Sequence, residues 1–290
     1  MRLVQRGESE KIFALFDARM AAAVSLDQVS HVVGSLGQVG KCLGEIIRVG
    51  VGECGYYADY ECNGRILAVS IEFDRDGKIS GLLLKLGQML PDDPEAGYQA
   101  KGIYLLPFDG IWWVLWGGNT VKQNYHVVAA DQRHAYDILI RKQGSTHLGD
   151  GRHLTDYYAF GQPLYSPTSA TVVEAVDGVE DNVPGEMNAA QPCGNHVVLN
   201  CGNGEYLVMA HFKNHSLRVH TGDHVSTGQR VGECGDSGNS SEPHLHIHLQ
   251  NGPILFRAAG LPLAFSSLIV DGKAVDRTEL VRGEEVQTGL

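Results

Sequence analysis

His244-Leu245-His246-Ile247-His248 sets three imidazoles at every second position. A strand turns successive side chains to opposite faces, so a strand here lines the three rings along one side, about 7 Å apart. Leu245, Ile247 and Leu249 then point the other way, into a core. A row of imidazoles beside a Pro/Ser-rich turn packs a core badly. It is well suited to holding a metal ion with one nitrogen and acting on water with another. The segment is read as the floor of a metal or catalytic centre in a β-rich domain, against the plainer reading of a solvated His-rich strand.

Outward from this strand, the chain changes character once. Phe13, Phe16, Met20 and Val24 form an apolar stripe that predicts a helix over 8–29, and a second short helix is expected at 27–36. Strand candidates follow at 46–49, 56–62 and 65–73. Asp74-Arg75-Asp76-Gly77-Lys78 reads as a hairpin turn, with 79–84 pairing back. Residues 1–90 thus read as a small α+β domain, and 87–97, with Pro91 and Pro94, as a linker. Beyond it the helical period vanishes. Strand runs are expected at 101–106, 111–116, 124–130, 135–140, 169–176, 195–200, 205–211 and 244–249. Residues 98–290 are therefore expected to form a mainly β, antiparallel, sandwich-like or curled domain.

Composition narrows the function classes. A chain of 290 residues with 43% hydrophobic content can bury a real core, and 36 glycines suit many turns. A net charge of −11 excludes a nonspecific nucleic-acid binder, which needs a basic footprint. The acidity is uneven: residues 1–90 carry 10 basic and 11 acidic residues, and 91–290 carry 13 and 23. That excess allows a cationic partner or substrate. Six cysteines make no CxxC pair. Cys193 and Cys201 bracket a strand and are expected either as a local disulfide or as free buried thiols. Cys234, in a Gly-rich turn, is a remote extra ligand or nucleophile. No segment is long and apolar enough to span a bilayer. Residues 1–7 lack the apolar stretch of a secretory leader, so the sequence as it stands predicts a cytoplasmic protein, or a periplasmic or extracellular one whose leader was removed.

Four pieces of the second domain are candidates to converge: Asn124-Tyr125-His126, Gln132 to Ile138, Met209 to Phe212, and Pro243 to His248. Two histidines and a carboxylate make a common zinc triad, and a further histidine can move a proton. HExxH and GxSxG are missing, as are Gly-rich phosphate loops.

The run His211 to Ser240, followed by Glu242-Pro243-His244-Leu245-His246, resembles the lysostaphin-type zinc peptidases of family M23. The likeness lies in a strand ending in histidine, a V-x-x-G-x-x-V-G-x-x-G turn region and a Pro-His-Leu-His strand. Gly161 to Pro167 also resembles a family segment, and the likeness covers roughly 120–250. It implies a zinc endopeptidase that cuts peptide crosslinks in bacterial cell walls. On that resemblance His246 and Asp137 are metal ligands, and His211 and His244 are catalytic. Residues 8–85 look like an accessory domain found ahead of some such peptidases.

One departure stands out. The family's His-x-x-x-Asp pattern has Arg133 at its first position here, and arginine cannot ligate zinc. His126 is the expected third ligand, with His134 as the alternative and the lack of a competent site as the third reading. His134 is disfavoured because an offset of one residue along a strand turns a side chain to the other face. The rival function is a degenerate module of the same fold that binds or regulates cell-wall enzymes. A cytoplasmic metallohydrolase with another substrate is a third. More ordinary roles are expected for His248 (structural), for His215, His220 and His224 (surface), and for Trp112, Trp113 and Trp116 (core or domain contact). One of the tryptophans, and likewise Tyr136, is instead a candidate to line a substrate groove, and Asp137 and His211 have plain readings as a turn hydrogen-bond acceptor and a satisfied strand-end histidine.

Overall fold

The computed structural model describes residues 3, 6–37, 42–52, 55–62, 65–89 and 93–289. The chain divides into two compact units, Met1–Pro91 and Asp92–Leu290.

In the first unit the helix expected over 8–29 is broken. Helix α1 (Ser9–Phe13) stops before α2 (Ala18–Ala23), which stops before α3 (Leu26–Gly37). Side-chain caps explain the breaks. Asp17 accepts a hydrogen bond from Met20 N at 2.7 Å and restarts the chain as α2. Ser25 and Gln28 exchange reciprocal bonds, Gln28 N to Ser25 Oγ and Ser25 N to Gln28 Oε1, and so open α3. The sheet runs in order β1 (Cys42–Gly52), β2 (Gly55–Cys62), β3 (Arg65–Phe73), β4 (Ile79–Met89), all antiparallel. At the predicted turn Gly77 takes φ 73°, and Asp74 Oδ1 accepts from the backbone of Asp76 and Lys78. Strand β4 continues through Met89, so the linker begins later than expected. Ile12, Phe16, Val29, Val33 and Ile79 form a buried cluster between the helices and the sheet.

The second unit is a large antiparallel sheet. Its strands are β5 (Trp112–Trp116), β6 (Tyr136–Leu139), β7 (Pro163–Tyr165), β8 (Ala170–Val176), β9 (Asn195–Asn200) and β10 (Tyr206–Phe212). They continue as β11 (His224–Val225), β12 (Arg230–Glu233), β13 (Leu245–Gln250), β14 (Gly260–Leu261), β15 (Phe265–Val270), β16 (Lys273–Thr278) and β17 (Glu285–Thr288). Eleven of them make one sheet in the order β11-β8-β9-β10-β13-β6-β5-β17-β15-β16, with β14 also on β13, while β7 and β12 form a separate ribbon. A small α+β unit followed by a mainly β, antiparallel domain is the expected fold class.

Two strand expectations need correction, and the cysteine alternatives resolve. Residues 124–130 hold a 3-10 helix, Tyr125–Val128, because Asn124 caps it through its side chain. Residues 101–106 carry only an isolated bridge between Tyr104 and Phe265. Cys193 and Cys201 are free thiols. They flank the six residues of β9, an extended span of roughly 20 Å, whereas a disulfide needs its Cα atoms within about 7 Å. Burial raises both thiols, Cys193 to about 12 and Cys201 to about 11.

The alternation read in β13 holds. Leu245, Ile247 and Leu249 join Val197, Leu199, Leu207 and Met209 in the core, each buried aliphatic side chain contributing about 1.5–3 kcal/mol. The opposite face of the same strands carries the histidines.

Candidate metal centre

Strand pairing assembles the first two donors. His246 on β13 lies directly opposite Asp137 on β6, between the pairs Leu245–Ile138 and Ile247–Tyr136. Cross-strand partners share a face, and His246 Nδ1 lies 2.9 Å from Asp137 Oδ1. The third donor comes from the 3-10 helix. His126 Nε2 is 3.5 Å from Asp137 Oδ1, and all three residues are buried. The donor atoms of His126, Asp137 and His246 lie within 4.8 Å of one another.

Two side-chain amides decide which nitrogen of each histidine carries the proton. Asn124 Nδ2 donates to the Ala135 carbonyl at 2.9 Å, which turns its Oδ1 toward His126. That oxygen accepts from His126 Nδ1 at 2.8 Å, leaving Nε2 as the acceptor. On β13, Gln250 Nε2 donates to the Gly252 carbonyl at 2.7 Å. Its Oε1 accepts from His248 Nε2 at 3.1 Å, and His248 Nδ1 then accepts from His246 Nε2 at 3.0 Å. His246 Nδ1 is left with a lone pair facing Asp137.

Three acceptors therefore converge, and His126 Nε2 is buried without a hydrogen-bond partner. Two imidazole lone pairs and a carboxylate are the donor set of a three-ligand zinc site, and the residues present fit that ion. Burial lowers His126 and His248 to about 3 each, keeping both rings neutral. Burial alone would raise Asp137, but the histidines against it, the His244 imidazolium among them, hold its carboxyl well below the usual range.

Two further imidazoles face this cluster. The His211 ring centroid is 4.8 Å from that of His244 and 5.7 Å from that of His246. His211 Nδ1 donates to the Ser237 carbonyl at 2.7 Å, so Nε2 is its free acceptor. His244 Nδ1 donates to the Glu242 carbonyl at 2.8 Å, and its Nε2 lies 3.6 Å from Asp137 Oδ1. Burial lowers both rings. It leaves His211 well below the ordinary range, whereas at His244 the Asp137 carboxylate outweighs it and brings the group up to about 9.

The remaining candidates fall elsewhere. His134 Nε2 and Arg133 Nη1 both meet Asp93, at 3.2 and 3.6 Å; the arginine's charge is matched there. Cys234 is buried in the core. His215, His220 and His224 are exposed. Trp112 and Tyr136 are core residues, while Trp116 meets the edge of Tyr125, whose hydroxyl reaches Asp137 Oδ2 at 3.4 Å. Sequence reasoning missed Gln250, although it continues the period-two row 244, 246, 248. It also missed the capping role of Asn124, for which Asn-x-His was the available signal.

Residues 152–255 match the profile described as Peptidase family M23. This span includes His211, His244 and His246 and begins after His126 and Asp137. Over 208 residues the chain is 27% identical to the peptidoglycan DD-endopeptidase ShyA of Vibrio cholerae, a match that covers 70% of this chain and 40% of that protein. The chain thus spans under half the length of this curated relative. Similar solved structures include a zinc containing peptidase from Vibrio cholerae, with TM-score 0.35, 15% identity and coverage of 72% of this chain and 56% of that one. Another is the catalytic domain of lysostaphin from Staphylococcus simulans, with TM-score 0.30, 21% identity and coverage of 56% and 86%. The unit that carries the strand-borne histidines is thus similar to peptidase family M23 over residues 152–255.

Proposed function

We propose that this protein is a zinc-dependent endopeptidase that hydrolyses amide bonds in the peptide crosslinks of bacterial peptidoglycan, acting outside the cytoplasmic membrane where that substrate lies. The observation that carries the reading is the convergence of His126, Asp137 and His246 with two spare imidazoles against them. Zinc, when bound, supplies a Lewis acid that brings the pKa of water to about 7 and polarises a carbonyl.

The protein's own groups do the rest. His126, Asp137 and His246 would hold the ion from two strands and a helix, with tautomers set by Asn124 and by the His248–Gln250 chain. His211, anchored through Nδ1, presents Nε2 to receive a proton from the attacking water and to return it to the leaving amine. His244, anchored on the Glu242 carbonyl, turns its other nitrogen to the charge that develops on the scissile carbonyl oxygen.

Zinc content by native mass spectrometry and release of peptide from purified peptidoglycan test this together. His246→Ala is expected to lose stoichiometric zinc. His211→Ala is expected to keep it and lose most turnover, and a chelator is expected to silence the wild type. Full zinc retention in His246→Ala ends the ligand assignment. A chain that takes up no supplied zinc supports the noncatalytic module instead.

A further inference from the structure

The face that carries the metal donors continues across the sheet into a groove of about 550 Å³. His246 pairs with Ala210 on β10. On β9, Val197 pairs with Met209, so the preceding residue, His196, shares the face of Ala210. His196 is in turn the partner of Val176 on β8. A row Asp137–His246–Ala210–His196–Val176 thus crosses four strand spacings, and the small Ala210 leaves the floor open. His196 stands two strands from His246, about 10 Å at ordinary strand spacing. The groove walls are Pro192–Gly194 on one side and Pro253–Phe256 on the other. The first wall is tied to the centre, because His211 N donates to the Cys193 carbonyl at 3.2 Å.

The polar groups in this groove are mismatched in a telling way. His196 is only 7% exposed, and its Nδ1 donates to the Gly194 carbonyl at 2.8 Å. Nε2 is therefore an acceptor; it is buried and has no hydrogen-bond partner. The Glu174 Oε1 it faces stands 3.9 Å away and is also an acceptor. A donor placed between these two acceptors would satisfy both, His196 Nε2 being the one cut off from solvent. The exposed side chains of Ile254 and Phe256 beside them suit an aliphatic stem.

We infer that this groove is a substrate subsite that takes a primary ammonium group on an aliphatic stem, seated between Glu174 and His196 beside the scissile bond. An ammonium has three N–H donors and a positive charge, so it satisfies both acceptors at once. The acidic balance of the second unit favours it further. This inference rests on the peptidase reading and names the feature of the peptide that would be recognised.

The test compares muropeptide dimers, released from peptidoglycan by a muramidase, with the same dimers after acetylation of their free amines. Both are assayed with the full zinc-loaded chain and with Glu174→Gln and His196→Leu variants, with zinc content and circular dichroism checked for each. Acetylation is expected to raise KM by about tenfold or more for the wild type while kcat stays within about twofold. Glu174→Gln is expected to remove most of that discrimination, and His196→Leu part of it. Equal KM values for the two wild-type substrates, or undiminished discrimination in Glu174→Gln, overturn the subsite and leave the peptidase reading standing. If neither dimer is cleaved, the peptidase reading fails. Calorimetric binding of the two dimers to the same chain then decides the subsite, with equal affinities overturning it and a Glu174-dependent preference for the free amine upholding it.

Discussion

A neutral imidazole has one donor and one acceptor nitrogen, and here an amide sets which is which, directly at His126 and through His248 at His246. Asn124 and Gln250 are themselves oriented by backbone carbonyls, so neither can flip without stranding a buried group. Asn124→Leu and Gln250→Leu are each expected to weaken zinc affinity about 10–100-fold. Competition with a chromophoric chelator measures this, and circular dichroism controls for folding. Asp236 acts at the same scale. Burial pushes its carboxyl from 3.8 up to about 7, Oδ2 has no partner, and Oδ1 accepts from the Ser240 hydroxyl at 2.5 Å. A raised acid binds its proton more tightly when folded, so stability is full below the unfolded pKa and falls as pH rises toward about 7. Wild-type stability is expected to fall by on the order of 1–3 kcal/mol, and the Tm with it, between about pH 4 and pH 7, and Asp236→Asn to show a shallower slope in buffered thermal melts.

At the scale of elements, β10 does something its alternation does not foretell. Ala210 shares the face of His246, so a regular strand would send His211 into the core. The register slips between Met209 and Phe212, and His211 takes a left-handed φ of 63°. Such a backbone is costly for a residue with a side chain and is held only where neighbours overdetermine it. Here the Cys193 and Ser237 carbonyls and Gly235 N hold His211, while Phe212 goes to the core in its place. The turn bearing Ser237 is in turn pressed against the start of β9. A Cβ on Gly238, where φ is 84°, would come within 2.4 Å of Gly194 N. Gly238→Ala is therefore expected to cost roughly 2–4 kcal/mol in urea unfolding. It is also expected to lower kcat more than zinc content, because the shift reaches His211 through Ser237.

Across the whole molecule, the metal donors join distant parts of the sheet: His126 and Asp137 precede the span that matches the family profile, and His246 lies near its end. A cation held by all three favours the folded state by mass action, by about 4 kcal/mol when zinc is in thousandfold excess over Kd. Zinc is expected to raise the Tm of the wild type and a chelator to lower it, whereas the Tm of His126→Ala is expected to ignore both in differential scanning fluorimetry. The charge balance belongs to this scale too. With 13 basic against 23 acidic residues, the second unit is acidic, in keeping with a cationic group on the substrate.

The one-dimensional pattern determined whatever depends on local periodicity and local turn chemistry. The period of two in 244–250 assigned the core and functional faces of β13, and the motifs around His211 and His244 carried the resemblance to peptidase family M23. The small α+β unit followed by a β-rich one was legible in the same way. The single helix over 8–29 and the strand over 124–130 were misread, because side-chain caps at Asp17, Ser25 and Asn124 outweigh apolar spacing. Only the tertiary structure decided how the donors meet. His126 reaches Asp137 because a 3-10 turn folds back over β6, and His211 reaches His244 because a bulge reverses its face. Both are consequences of long-range register, which no window of neighbouring residues encodes.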